Sequence, residues 1–146
     1  MMSLTDAVAL ARGENGVTVV STVRADGTVQ ASLVNAGIVV HPDSGAQVLA
    51  FVTYGKVKLA NLRARPAIAA TFRKGWQWAT VEGEAELVGP DDAADWLTDP
   101  DRLRLLLRDI FTAAGGTHDD WAVYDAEMVR QRRTAVLITP RRIYSN

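Results

Sequence analysis

The residues best placed to do chemistry lie in one short segment, Thr53-Tyr54-Gly55-Lys56-Val57-Lys58-Leu59-Ala60-Asn61-Leu62-Arg63-Ala64-Arg65-Pro66. It reads as a strand end, two lysines and a short helix over 56–64 that Pro66 stops. A helix amino terminus presents free amide donors and the positive end of its dipole, so it disfavours cations and attracts anions. Lys56 and Lys58 therefore oppose the local electrostatics unless a phosphate-sized anion joins them; two solvated lysines are the plainer alternative. From Lys56 to Lys74 there are six basic residues and no acidic one, whereas from Glu82 to Asp101 there are eight acidic residues and no basic one. Two or three converging donors from the basic run are enough for an anion pocket. Solvated faces account for the remaining charges.

Other chemistries are poorly supplied. Glu82, Glu84 and Glu86 alternate along one predicted strand and face the same way, about 7 Å apart. The row reads as a solvated barrel face, the sharper alternative being a carboxylate made less acidic by its neighbours. The absence of cysteine removes disulfides, iron–sulfur clusters, thiolate zinc sites and cysteine nucleophiles. His41 and His118 fall in predicted turns without a metal-ligand partner at helical or strand spacing, so no metal site is expected. Nucleophile-elbow, dinucleotide-turn and P-loop patterns are missing; Tyr54-Gly55-Lys56 lacks the second glycine and the hydroxyl residue of a P-loop. No catalytic side chain is assigned, and a demanding reaction would rely on a bound organic cofactor.

The elements that must position these residues follow from the pattern. Ser3-Leu4-Thr5-Asp6 has the form of a capping box opening a short helix that Gly13 ends. Val17 to Arg24 is a β-branched strand, Asp26-Gly27 a hairpin turn, Val29 to Val40 a second strand and Gln47 to Thr53 a third. After the 56–64 helix, Ala67 to Arg73 and Trp76 to Val88 are strands. On the latter, Trp76, Trp78, Thr80 and Glu82 share one face, and Ala79 and Val81 the other. Leu103, Leu106, Leu107, Ile110 and Phe111 define an amphipathic helix that Gly115-Gly116 breaks. Asp119 to Gln131 is another helix, with Trp121, Tyr124 and Met128 on one stripe, and Thr134 onward is a last strand running past Pro140 towards Tyr144. Six strands in a meander with few helices predict a mainly β fold, a small six-stranded antiparallel split or closed barrel.

The chain has 146 residues, 48% of them apolar, which suits one domain over 1–146. A net charge of −1 argues against a general polyanion binder such as a nucleic-acid protein. No apolar run approaches the ~18–20 residues of a membrane span, and the first residues lack a signal-peptide pattern, so a cytoplasmic location is expected.

Three stretches carry a resemblance: Lys58 to Pro66; Gly75-Trp76-Gln77-Trp78-Ala79-Thr80-Val81-Glu82-Gly83-Glu84-Ala85-Glu86-Leu87; and Asp120-Trp121 to Tyr124 with Met128-Val129 and Arg132-Arg133. Their order and spacing resemble the pyridoxamine 5′-phosphate oxidase-like split β-barrels, and within them the actinobacterial branch that uses the deazaflavin coenzyme F420. The resemblance implies a homodimer with cofactor sites at the interface. It makes Lys58 the phosphate-contacting lysine, with Lys56 and Asn61 beside it, and Lys56 stands where relatives often have arginine, which removes bidentate geometry. It places Ser32, Val34 and Asn35 beside the ring system with Val52 and Thr53 on the next strand. Trp76, Trp78 and Thr80 would approach from the other subunit, and Arg132 and Arg133 from nearby. FMN shares the ribityl phosphate, so an FMN-dependent oxidoreductase is the alternative; the deazaflavin's acidic tail would draw on Arg63, Arg65, Arg73 and Lys74. A cofactor carrier without turnover is a further reading. The chain ends at Asn146 without the basic carboxy-terminal segment of true pyridoxamine phosphate oxidases, which disfavours that reaction. The expectation is hydride transfer from the reduced coenzyme to a conjugated small molecule.

Overall fold

The computed structural model describes residues 2–146. In chain order it contains helix α1 (Leu4–Ala9), a 3-10 turn (Arg12–Glu14), strands β1 (Val17–Val23), β2 (Val29–Val40) and β3 (Gln47–Thr53), and helix α2 (Lys56–Ala64). Strands β4 (Ala67–Lys74) and β5 (Gln77–Val88), helices α3 (Pro100–Ala113) and α4 (Trp121–Arg130), and strand β6 (Thr134–Ser145) complete it. The six strands close into an antiparallel barrel in the order β1-β2-β3-β6-β5-β4, as the meander predicts. Strand β6 pairs with β3 over Thr134–Ile138 and with β5 along nearly its whole length, with a register shift between Glu82 and Gly83. That irregularity carries Pro140 opposite Gly83, where the ladder tolerates a residue without an amide proton.

Barrel closure gives each strand an inner and an outer face. Val20, Val34, Leu49, Phe51, Phe72, Val81 and Val136 fill the inside. A second apolar layer lies outside, where Val39, Val48, Ala50, Ala135 and Leu137 meet Leu106, Leu107, Ile110 and Tyr124. This explains the unbroken apolar run Val48-Leu49-Ala50-Phe51: strand β3 is covered on both faces. Helix α3 lies so close to β2 that a Cβ on Gly37 would stand 2.4 Å from the backbone of Ala113.

Several boundaries differ from the sequence expectation for identifiable reasons. Trp76 is not part of β5; it sits in the turn with Gly75 (φ 60) and is 94% exposed. The Ser3 capping box forms, but α1 ends before Gly13, and left-handed Asn15 with Gly16 turns the chain into β1. Helix α4 starts at Trp121 because Asp120 accepts the amides of Ala122 and Val123 as its cap. The glutamate row is engaged by neighbours: Glu82 accepts from Tyr144 Oη (2.6 Å), Glu84 meets Arg141, and Glu86 binds His41 Nε2 (2.7 Å) and Trp96 Nε1 (3.1 Å).

Gly37→Ala is expected to force α3 off the barrel and cost about 1–3 kcal/mol in urea denaturation. Gly13→Ala, whose new methyl meets open space, is expected to stay within about 0.5 kcal/mol.

Candidate functional site

The entry to α2 is built by Thr53, whose inward Oγ1 accepts the amide of Gly55 (3.2 Å) and bends the chain out of β3. Gly55 is the N-cap and brings no side-chain acceptor, and the first turn of α2 has no acidic residue. The amides at this end thus lack a side-chain cap, and the positive end of the dipole is uncompensated.

Two cations converge there. Lys56 is exposed, but Lys58 is only 6% exposed and, among the described residues, makes no hydrogen bond or ion pair. Its Nζ lies 5.7 Å from the centroid of Phe51 and 3.8 Å from where a Cβ on Gly55 would stand, so the ammonium folds back towards the helix start. Burial, reinforced by the nearby Arg133 charge, lowers its pKa below the usual lysine value. Arg133 arrives from the end of α4. Left-handed Arg132 (φ 53) closes that helix, with Arg132 N donating to Val129 O (3.1 Å) and Arg133 N to Met128 O (3.0 Å). The Arg133 guanidinium stacks 3.9 Å from the Tyr54 centroid, and its Nε donates to Gln131 Oε1 (2.7 Å). Among the described residues it has no carboxylate partner; Glu127 is held by Arg130 and Gln131. Burial lowers its pKa as well.

A cavity of about 500 Å³ opens beside Arg133. Asn35 and Val52, neighbours on the outer face of β2 and β3, line it from the barrel side; Phe111, Tyr124 and Met128 line it from the helices. Gly116 lets the Phe111 ring lie close, since a Cβ there would stand 2.5 Å from the ring and push it aside. Tyr124 donates its hydroxyl to Leu107 O (3.1 Å), and burial pushes its pKa up to about 12, so it stays a neutral wall rather than an acid.

The structure thus divides the residues that the sequence assembled. Lys58, Arg133 and the start of α2 come together, with Asn35 and Val52 in the adjoining cavity. Val34 faces the packed barrel interior, as does Ser32, whose buried Oγ has no hydrogen-bond partner. Asn61 is buried and donates to Thr22 Oγ1 (3.0 Å), which anchors α2 under the barrel. Thr80 pairs with Thr71 (2.8 Å) and Trp78 lies edge-on to Tyr144, both outside the barrel and away from the cavity. The basic groups proposed for an acidic tail are mostly committed: Arg63 forms a bidentate pair with Asp92, Arg65 donates to Val23 O (2.9 Å), and Arg73 reaches Glu14. Sequence reasoning missed Phe111, Tyr124 and Met128 as cavity walls; the Gly115-Gly116 break and the α4 stripe were the available signals.

Among the described residues, no helix is long and apolar enough to cross a membrane, and no cluster of metal-ligating side chains forms. The fold is shared with a conserved hypothetical protein from Mycobacterium tuberculosis at 20% identity and TM-score 0.66, covering 99% of this chain and 84% of that one. It is shared with an F420 reductase at 20% identity and TM-score 0.58, covering 89% and 90%. A pyridoxamine 5′-phosphate oxidase-related, FMN-binding protein from Nostoc punctiforme matches at 16% identity and TM-score 0.60, covering 99% and 86%. At these identities the likeness concerns the barrel rather than the ligand. The family model described as pyridoxamine 5′-phosphate oxidase spans residues 4–146, nearly the whole of the barrel and its helices, and the chain belongs to that family.

Proposed function

We propose that this protein is an oxidoreductase that binds a phosphate-bearing deazaflavin, coenzyme F420, and supports hydride transfer to a conjugated small molecule. The observation that carries this reading is the buried ammonium of Lys58, which has no hydrogen-bond or ion-pair partner among the described residues and sits at an uncapped helix start. Burying a cation without a partner is costly, and a bound phosphate removes that cost while using the α2 amides. When bound, the cofactor supplies the hydride chemistry. Lys58 and the first turn of α2 hold the phosphate; Asn35 and Val52 border the ring, and the helices α3 and α4 exclude water from the cavity side. The F420 reductase with the same barrel supports the deazaflavin. One observation favours FMN instead: Arg63, Arg65 and Arg73 have partners of their own, leaving fewer free cations for an acidic tail.

The reading includes a second copy of the chain. Val29 (60% exposed) and Leu33 (67% exposed), with Val19, form an apolar stripe on the outer face of β1 and β2. Such a stripe is suited to an interface, from whose far side Trp78 and Thr80 would reach the cofactor. Light scattering on the purified protein is expected to give a dimer, and Leu33→Asp a monomer.

Fluorescence titration with F420 and, separately, FMN tests the cofactor. Binding of F420 alone, weakened about tenfold or more by Lys58→Ala, is the expected result. Binding of FMN alone would move the protein to the flavin reading, and binding of neither would remove both.

The same lysine predicts a stability effect. Its folded pKa lies below the usual 10.5, so between those two values the unfolded chain holds more protons than the folded one. Stability of the cofactor-free protein therefore rises with pH through that window and is lost as pH falls below it. Lys58→Met is expected to be more stable than the parent at neutral pH and to lack the alkaline rise, read by urea denaturation at pH ~7 and pH ~10.

A further inference from the structure

The cavity beside α4 has one charged residue in its lining, and that residue is a cation. Arg133 is half-buried, shares its Nε with Gln131, and keeps its terminal nitrogens without a partner among the described residues. Its position is enforced: the left-handed turn at Arg132 aims it back across Tyr54, and Arg132 is itself anchored to Asp91 (2.6 Å). A non-glycine residue in that conformation is unfavourable by about 1 kcal/mol, so the fold maintains this direction against a local preference. The rest of the lining is neutral: two aromatic rings, two side-chain amides, one threonine hydroxyl and otherwise aliphatic or small residues. Phe111 and Tyr124 stand 4.9 Å apart between centroids, and Asn35 is held in place by donating to Asn15 O (2.9 Å). Two aromatic rings inclined at 46°, a fixed amide and a guanidinium whose terminal nitrogens are free, with Glu127 acting on it only through space, match an anion with an aromatic body.

We infer that this cavity is the electron-acceptor subsite, and that Arg133 selects a conjugated, planar acceptor carrying a carboxylate or similar anion. The inference rests on the oxidoreductase reading for the word acceptor, but the recognition itself needs no cofactor. The cavity of about 500 Å³ is shared: the cofactor ring borders Asn35 and Val52, and the acceptor takes the side walled by Phe111, Tyr124 and Met128 beside Arg133, which suits a molecule of one or two rings. Lys58 remains with the start of α2, outside the lining of this cavity, so the phosphate seat and the acceptor anion are read by different cations.

The test uses cinnamate and its neutral isostere cinnamamide on the full-length, cofactor-free protein. Binding is followed by carbon-13 methyl signals of methionine, because Met128 lines the cavity. Cinnamate is expected to shift the Met128 methyl and to bind about tenfold tighter than cinnamamide. Arg133→Gln should erase that preference, and Arg133→Lys should restore part of it while showing that the site still folds. Inorganic phosphate should leave cinnamate bound. Equal affinities for acid and amide, a silent Met128, or an unchanged preference in Arg133→Gln would overturn the inference. So would full displacement by phosphate, which would mean one anion seat. Failure of the F420 and FMN titrations would leave this result standing and remove only the redox role.

Discussion

Closure of the barrel is the constraint from which the site follows. With β1 paired to β4 and β6 bridging β3 and β5, no sheet edge is left to extend, and every strand residue is committed to the inside or the outside. The inside is filled by Phe51, Phe72 and the β-branched residues around them. A ligand must therefore sit outside the wall or at the barrel's end. The chain provides helices at both places: α2 below, anchored through Asn61 to Thr22, and α3 with α4 against β2 and β3. Chemistry collects where those two sets of helices approach each other, at Lys58 and Arg133.

Lys58 and Arg133 illustrate how a folded chain can hold unfavourable groups in place. Each is desolvated, each lacks a carboxylate, and each is cradled by an aromatic face, Phe51 for one and Tyr54 for the other. A cation over a ring recovers part of the lost hydration, about 0.5–2 kcal/mol, and leaves the charge free to meet an anion. A carboxylate at the same place would stabilise the apo-protein more and would compete with any ligand phosphate. The arrangement is therefore better explained by binding than by stability.

Much of this was readable from residue order. The meander, the Asp26-Gly27 hairpin and the 56–64 helix follow from local propensity and turn chemistry, which act over a few residues. The conflict between Lys56, Lys58 and the helix dipole is likewise local, and it marks the start of α2 as the proposed anion seat. Which lysine is buried was not readable: it depends on the angle at which α2 folds back on β3, which brings Lys58 rather than Lys56 over Phe51. Val34 and Asn35 differ by one position and were grouped together; the pleat sends one into the barrel core and the other to the cavity. The cavity wall formed by Phe111, Tyr124 and Met128 depends on how two helices dock, and periodicity gives each helix an apolar side without naming its neighbour. Trp76 looked like part of a strand face because alternation continued through it, and the left-handed Gly75 turn ended that alternation.

The charge pattern can be understood in the same terms. A net charge of −1 hides a basic run and an acidic run; one pair, Arg63 with Asp92, joins them directly, and arginines from outside the basic run meet other acidic residues. Arg63 crosses to Asp92, Arg132 to Asp91, Arg108 to Asp125, and Arg141 and Arg142 to Glu84 and Glu82. The exposed pairs among these stabilise little, each within about 0–1 kcal/mol, whereas the Arg108–Asp125 pair is part-buried. Their larger consequence is to lower the number of free cations, so that a passing polyanion finds few to bind. Pairing elsewhere thus leaves Lys58, buried, and Arg133, half-buried, as desolvated cations without a carboxylate partner among the described residues, which is the ground for the proposed anion sites.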